Sequence, residues 1–221
     1  NFGVRGGMIF GIAGVQGNGQ VELVELMTKK RMIKDGDILL NGTSVKNLSI
    51  EQIRNMQFGY VPEDRLTQGL FMDRSIQDNT VASSIRKYMK GGKLDEQAME
   101  TVTRRWIDEI NIVAPSPKPA VRTLSGGNAQ KVVIAKTLAA NSNIIIFDEP
   151  TRGIDVSAKQ EIYKLMNELV EAGKAIIMVS SDMPELLGMS DRIVVIAEGR
   201  KNGEVEKADF DQNYILDLAS G

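Results

Sequence analysis

The hydrophobic positions of this chain gather into short, nearly unbroken runs. Met8 to Ala13 (MIFGIA), Ile144 to Phe147, Ala175 to Val179 (AIIMV) and Arg192 to Ala197 (RIVVIA) are apolar almost throughout. Such runs predict strands buried on both faces, as in a parallel sheet; a strand with one wet face would alternate instead. Phe58 to Pro62 predicts a further strand, and Gly36 to Leu40 with the Asn41-Gly42 turn predicts a hairpin pair. Helices are expected over Glu22 to Met27, Ser49 to Met56, Ser157 to Ala172 and Met183 to Gly188. Ser75-Ile76-Gln77-Asp78, a capping-box-like start with Asp at the Glu/Gln position, predicts a helix running towards Met89. Gly91-Gly92 should break that helix, and Asp95 should begin a longer one reaching about Ile112. Ala114 to Pro119 reads as a stiff extended linker. Glu198-Gly199 predicts a turn into a polar hairpin, and Phe210 to Ala219 a terminal helix. The alternation gives a fold class of α/β: a mostly parallel sheet core, a small antiparallel β part, and a helical lobe inserted at about 68–140.

Composition narrows the picture only at its edges. A chain of 221 residues can build one full α/β domain with a sizeable core. Its net charge of −2 gives no electrostatic case for nucleic acid or an anionic membrane surface. With 0 cysteines there is neither a disulfide framework nor a thiolate metal site. No apolar run approaches the roughly 18 residues that a membrane span needs. The chain begins at Asn1 rather than Met, and reads as a domain cut from a longer polypeptide.

Two stretches carry chemistry. The first follows the Met8–Ala13 strand: Gly14-Val15-Gln16-Gly17-Asn18-Gly19-Gln20-Val21, then a helix. Strand, glycine-rich turn and helix is the setting of a phosphate-binding loop, and Gly14 and Gly19 keep the spacing of G-x-x-x-x-G-K-[ST]. The last two positions depart from it, with Gln20 for Lys and Val21 for Ser/Thr. Backbone N–H groups could still converge on a phosphate. The cation for the β- and γ-phosphates and the hydroxyl ligand for Mg²⁺ are both missing. Charge-assisted hydrogen bonds contribute roughly 1.5–3 kcal/mol each. At about 1.4 kcal/mol per decade, affinity should fall on the order of a hundredfold.

The second stretch runs from Leu124 to Asp155. Leu124-Ser125-Gly126-Gly127-Asn128 opens a helix whose first N–H groups point outward, an anion site. The strand Ile144–Phe147 then delivers the adjacent carboxylates Asp148 and Glu149, followed by Pro150-Thr151-Arg152-Gly153-Ile154-Asp155. A cation site and a phosphate site in one short stretch point to nucleotide chemistry. The methionines Met166, Met178, Met183 and Met189 read as core filler, and Arg104-Arg105-Trp106 as a solvated face.

LSGGN, IIIFDEPTRGID and the glycine spacing of the loop together resemble an ATP-binding-cassette ATPase domain, over nearly the whole chain. YVPEDR (Tyr60–Arg65), LSGGNAQK (Leu124–Lys131), DEPTRGIDVSAK (Asp148–Lys159) and VSSDMPELLGMSDRI (Val179–Ile193) resemble the second cassette of monosaccharide importers of the ribose, galactose and xylose type. There, two cassettes share one polypeptide. Purine-nucleoside importers are similarly arranged, and Gly17-Asn18-Gly19-Gln20 resembles theirs.

The resemblance implies roles for particular residues. Asp148 would hold Mg²⁺ and Glu149 would polarise the attacking water. Gly14, Gln16, Gly17, Asn18, Gly19, Gln20 and Val21 would line the nucleotide of this cassette. Glu63 stands where such cassettes carry a Gln, and Ser181 where they carry a His that contacts the γ-phosphate. Ser125, Gly126, Gly127 and Asn128 would face ATP held by a partner cassette, and Asp155 would sit at the seam. The adenine-stacking aromatic lies upstream of the loop in this family; Phe2 is too close in sequence to serve. Gln20, Val21, Glu63 and Ser181 all depart on the chain's own nucleotide site, whereas the elements offered to a partner are intact. The implied function is an ATPase domain that energises monosaccharide import, binding ATP and Mg²⁺ weakly at its own site and donating its signature to a partner. Implied partners are a second cassette in the same chain, transmembrane permease subunits and, indirectly, a periplasmic or surface solute-binding protein, but no nucleic acid; the implied location is the cytoplasmic face of the membrane. The alternatives are a cassette for a purine nucleoside or other small solute, a regulatory cassette that binds no nucleotide, and a non-transport cassette acting on ribosomes or DNA.

Overall fold

The computed structural model describes every residue, from Asn1 to Gly221. Strand β1 (Met8–Ala13) leads through a loop into helix α1 (Gln20–Met27). Two two-residue strands, β2 (Leu39–Leu40) and β3 (Thr43–Ser44), pair antiparallel. Their turn residues Asn41 and Gly42 both have positive φ, the conformation that a tight hairpin requires. Helix α2 (Ile50–Asn55) carries the full capping box, Ser49 bonded to the Gln52 N–H and Gln52 returning to the Ser49 N–H. Strand β4 (Phe58–Val61) follows, and a single π turn at Arg65–Gly69 is held by Asp64, which accepts from the Leu66 and Thr67 N–H groups.

The next segment departs from expectation twice. Helix α3 (Ile76–Val81) starts at Ser75 as predicted, but stops well short of Met89 and tightens into 3₁₀ turns over Ala82–Tyr88. Thr80 and Ser84 bond back to the carbonyls of Ile76 and Val81, the competition by which Ser and Thr weaken helix interiors. Gly91-Gly92 is not a helix stop but the turn of a hairpin between β5 (Met89–Lys90) and β6 (Lys93–Leu94). Both glycines sit at positive φ, as a two-residue hairpin loop demands. Helix α4 (Glu96–Glu109) starts on the Asp95 cap and ends earlier than Ile112. The proline segment is pinned: Pro117 and Pro119 accept from the Gln77 and Ile76 N–H groups.

The remaining elements alternate as the apolar runs predict: α5 (Gly126–Ala139), β7 (Ile144–Asp148), α6 (Val156–Glu171), β8 (Ala175–Val179), α7 (Met183–Met189), β9 (Arg192–Ala197), β10 (Arg200–Glu206) and α8 (Gln212–Ser220). No helix is long and apolar enough to cross a membrane.

The chain divides into two compact units. One comprises Asn1–Tyr60, Asn143–Glu149 and Glu168–Gly221; the other comprises Val61–Ser142 and Pro150–Asn167. The six-stranded sheet has the order β10-β9-β1-β8-β7-β4. Its centre is parallel, β1 lying between β8 and β9, and β10 closes one side antiparallel to β9. Phe10, Ile12, Val24, Met27, Ile146, Ile177, Val179, Val194 and Ile196 fill the core of this first unit. The register matters for function. Ile12 is level with Val179, and Val179 with Asp148, so β1, β8 and β7 end together at one edge.

In the second unit α3 packs on α4 and α5. Helix α5 is buried nearly all round, from Gly127 through Ala139, which is why it shows so little amphipathic character. The fully buried Asn79 ties the loop before α3 in place, accepting from the Phe71 N–H and donating to the Phe71 and Ser75 carbonyls.

Candidate functional site

At the shared strand edge of the first unit, the loop after β1 turns on two glycines at positive φ, Gly17 and Gly19. Gly19 precedes α1 and offers no side-chain cap, and the first helical bond is from Leu23 N–H to Gly19. The N–H groups at the head of α1 therefore remain available to an anion. Glu22 in the same turn opposes that attraction. Gln20 folds back across the loop: its amide donates to the Val15 carbonyl at 3.3 Å and fills the space in which a side chain at Gly14 would stand. Asn18 is spent on structure, donating to the Ala219 carbonyl at 2.7 Å while its own carbonyl accepts from Gly199. Gln16 and Val21 are exposed.

Asp148 and Glu149 follow at the end of β7. The Tyr60 hydroxyl, on neighbouring β4, donates to Asp148 Oδ2 at 2.9 Å. Burial pushes Asp148 above the usual carboxylate range, while the Tyr60 hydrogen bond and the Lys30 ammonium draw it back. Burial and the Asp148 charge push the Tyr60 phenol far up, so it keeps its proton and remains the donor. Lys30 lies over the Tyr60 ring, 4.8 Å from its centre. Glu149 adopts a positive φ, and its Oε1 accepts from the Ser181 N–H at 2.7 Å. Burial raises Glu149; the Ser181 bonds pull it down, and Glu185 and Asp148 push it further up. Ser181 thus meets Glu149 through both its backbone N–H and its side chain. Phe2, partly buried, stacks on the core residue Phe10 with ring centres 5.2 Å apart.

The second unit holds the other predicted residues. Ser125 caps α5, its Oγ accepting from the Asn128 side chain at 2.9 Å and from the Asn128 N–H at 3.4 Å. Asn128 also reaches the preceding loop, its Oδ1 accepting from the Val113 N–H at 2.7 Å. The Gly126 and Gly127 N–H groups head the helix. A side chain at Gly127 would lie 2.5 Å from the Ala158 Cβ, so glycine is what lets α5 approach the start of α6. Asp155 caps α6, its Oδ1 accepting from the Ala158 N–H at 3.0 Å. Glu63 pairs with Arg152, and Arg65 donates to the Arg152 and Gly153 carbonyls.

A nucleotide triphosphate with Mg²⁺ asks for N–H donors around the phosphates, a cation beside them and oxygen ligands for the metal. The loop meets the first demand with backbone N–H groups and a neutral Gln20 amide. The residues fit the phosphates of a nucleotide without charge neutralisation. They fit a tightly held metal poorly, since Val21 offers no oxygen and Asp148 already accepts from Tyr60. The roles of Tyr60, Lys30 and Arg65 escaped the sequence reading. Tyr60 and Arg65 stood inside a quoted motif, but their partners lie 88 and 87 residues away.

Comparisons with known proteins add the following. The ABC transporter family profile matches residues 1–152. The chain is 43% identical over 222 residues to a ribose import ATP-binding protein RbsA of Bacillus cereus, covering 100% of this chain and 45% of that protein. It is 42% identical to the putative ribose/galactose/methyl galactoside import ATP-binding protein of Geobacillus kaustophilus, over 100% of this chain and 44% of that protein. The chain thus spans less than half the length of these relatives. Among solved structures, a nucleotide-free ATP-binding cassette from an ABC transporter superposes with a TM-score of 0.84 at 17% identity, covering 100% of this chain and 90% of that one. A dimeric cassette in a post-hydrolysis state with ADP and Pi gives 0.79 at 21% identity, covering 95% and 90%. At such identities these two speak for the fold alone.

Proposed function

The chain belongs to the ABC transporter family, and we propose that it is one of two cassettes in a longer polypeptide that energises the import of a monosaccharide. Its own nucleotide site is degenerate: it binds ATP weakly, hydrolyses it slowly or not at all, and donates the Ser125-Gly126-Gly127 turn to the site of a partner cassette. The observation that carries this reading is the neutral Gln20 amide folded over the loop, with no hydroxyl at position 21 to complement Asp148. The names of the relatives, ribose and galactose import proteins, support the choice of sugar.

In this reading Gly17, Gly19 and the head of α1 hold phosphate oxygens through N–H groups, without the charge neutralisation that a tightly held metal would bring. Glu149, held by the Ser181 N–H, is the group placed to orient a water. Asp155 lies at the cassette seam, permease subunits form the membrane passage, and a solute-binding protein delivers the sugar from outside. The cassette works at the cytoplasmic face. A second reading, import of a purine nucleoside, is favoured by the Gly17–Gln20 loop; uptake assays with labelled ribose and adenosine separate the two.

The donor role is tested in the assembled transporter by comparing kcat for ATP hydrolysis in Gly126→Asp and Glu149→Gln variants. Placing a carboxylate at the donor turn is expected to cost on the order of a hundredfold, the scale of losing a transition-state donor. Glu149→Gln is expected to cost far less. The opposite ranking would contradict signature donation.

A further inference from the structure

We propose that Arg65 is a positioning residue that holds the signature turn and the Arg152–Gly153 turn together as one piece, so that the donor face is formed before any nucleotide arrives. This inference rests on the donor role proposed above.

The geometry is specific to a guanidinium. Nη1 donates to the Arg152 carbonyl at 2.8 Å and Nη2 to the Gly153 carbonyl at 3.1 Å. Two consecutive carbonyls accept from one rigid fork, which an ammonium on a flexible stem does not reproduce. Gly153 sits at φ +68°, the conformation that shapes this turn and that a side chain would strain. The same Nη2 stands 3.0 Å from where a Cβ on Gly126 would lie. The guanidinium therefore stands beside Gly126 of the signature turn, where a larger residue would oblige it to shift by a few tenths of an ångström.

The segment that carries Arg65 is itself anchored. Asp64 accepts from the Leu66 and Thr67 N–H groups at 2.9 and 3.2 Å and from the Thr67 hydroxyl at 2.6 Å, fixing the π turn that begins at Arg65. Glu63, two residues earlier, pairs with the Arg152 side chain. The turn is thus gripped twice, through its carbonyls by Arg65 and through its side chain by Glu63. Two residues beyond Gly153, Asp155 caps α6. Displacing the turn would carry that cap with it.

The arrangement is not one that stability alone would select. Arg65 Nε is buried without a hydrogen-bond partner, and an unmet buried donor is costly. A cation beside the first residues of α5 also opposes the positive end of the helix dipole. What the placement provides is a fixed relation, through the Arg152–Gly153 turn, between Gly126 and Asp155, two of the residues proposed to face a partner cassette.

The test uses the assembled transporter, with kcat and KM for ATP measured for Arg65→Gln, Arg65→Lys and Glu63→Gln, and thermal denaturation to establish that each is folded. Nucleotide bound by the partner cassette meets this face only when the two cassettes close. Arg65→Gln is therefore expected to lower kcat by at least about tenfold, within the range that a misplacement of about 1 Å produces, while KM changes by less than about twofold. Arg65→Lys is expected not to rescue kcat. Glu63→Gln should give a smaller loss of the same kind. Hydrogen exchange should quicken at the amides of 126–128 and 153–156 in Arg65→Gln. Unchanged kcat and exchange in Arg65→Gln, with Gly126→Asp inactive, would overturn the inference and leave the donor role standing. Full rescue by Arg65→Lys would overturn it too, since charge rather than the fork would then matter. An active Gly126→Asp would instead remove the donor role, and this inference with it.

Discussion

Removing the Tyr60 hydroxyl leaves the Asp148 carboxylate without the phenol that solvates it. Tyr60→Phe is expected to lower stability at pH 7 by about 1–3 kcal/mol, the range for a buried polar group that loses its partner, measured by urea denaturation. The loss belongs to the ionised carboxylate, so it should shrink as pH falls towards the unfolded aspartate value of about 3.9. A loss of equal size at pH 3.5 would show that packing, not the hydrogen bond, was removed. Glu149 gives the opposite sign. Burial raises its pKa, so the folded state is penalised for the charge above that raised value, and the penalty vanishes below the unfolded glutamate value of about 4.3. Glu149→Gln can keep the bond from Ser181 while losing the charge. Its Tm should exceed that of the unsubstituted protein at pH 8 and match it near pH 4. A lower Tm at pH 8 would mean that a cation holds the carboxylate.

Elements were legible where burial was uniform. The runs at Met8, Ala175 and Arg192 became strands with the expected bounds because a parallel strand covered on both faces has no wet position to blur its pattern. The reading failed at α3 and at Gly91-Gly92, where local side-chain bonds and turn geometry decided the outcome. A glycine pair ends a helix or closes a hairpin, and only the pairing of Met89 with Leu94 tells which. The site was legible as a set of motifs; its wiring through Tyr60, Arg65 and Asn128 was not, because those bonds join residues 15 to 88 apart in sequence. At this scale the contact of α5 with α6 is the sensitive one. Gly127→Ala places a methyl 2.5 Å from Ala158 and is expected to cost about 1–3 kcal/mol, as overpacking does. Gly127→Ala with Ala158→Gly should recover most of it. Failure of the pair to recover would place the strain elsewhere.

At the scale of the whole molecule a proposed nucleotide loop without Lys and Ser/Thr at positions 20 and 21 is paired with a complete Ser125-Gly126-Gly127 turn, and the two make different demands on solution conditions. A loop of neutral donors attracts phosphate without relying on metal, whereas a complete loop would depend on it. Gln20→Lys with Val21→Ser restores one cation and one hydroxyl, and is expected to raise affinity for Mg²⁺-ATP by about a hundredfold, from roughly 1.5–3 kcal/mol per charged hydrogen bond. The measurement that bears most directly on the proposed weakness of the nucleotide site is calorimetric titration of this chain with ATP, with and without Mg²⁺. Weak binding, in the high-micromolar range or beyond and the same in both titrations, is the expected result. Tight binding that requires Mg²⁺ and is followed by turnover would contradict it, and would mean that another cation takes the place of the missing lysine.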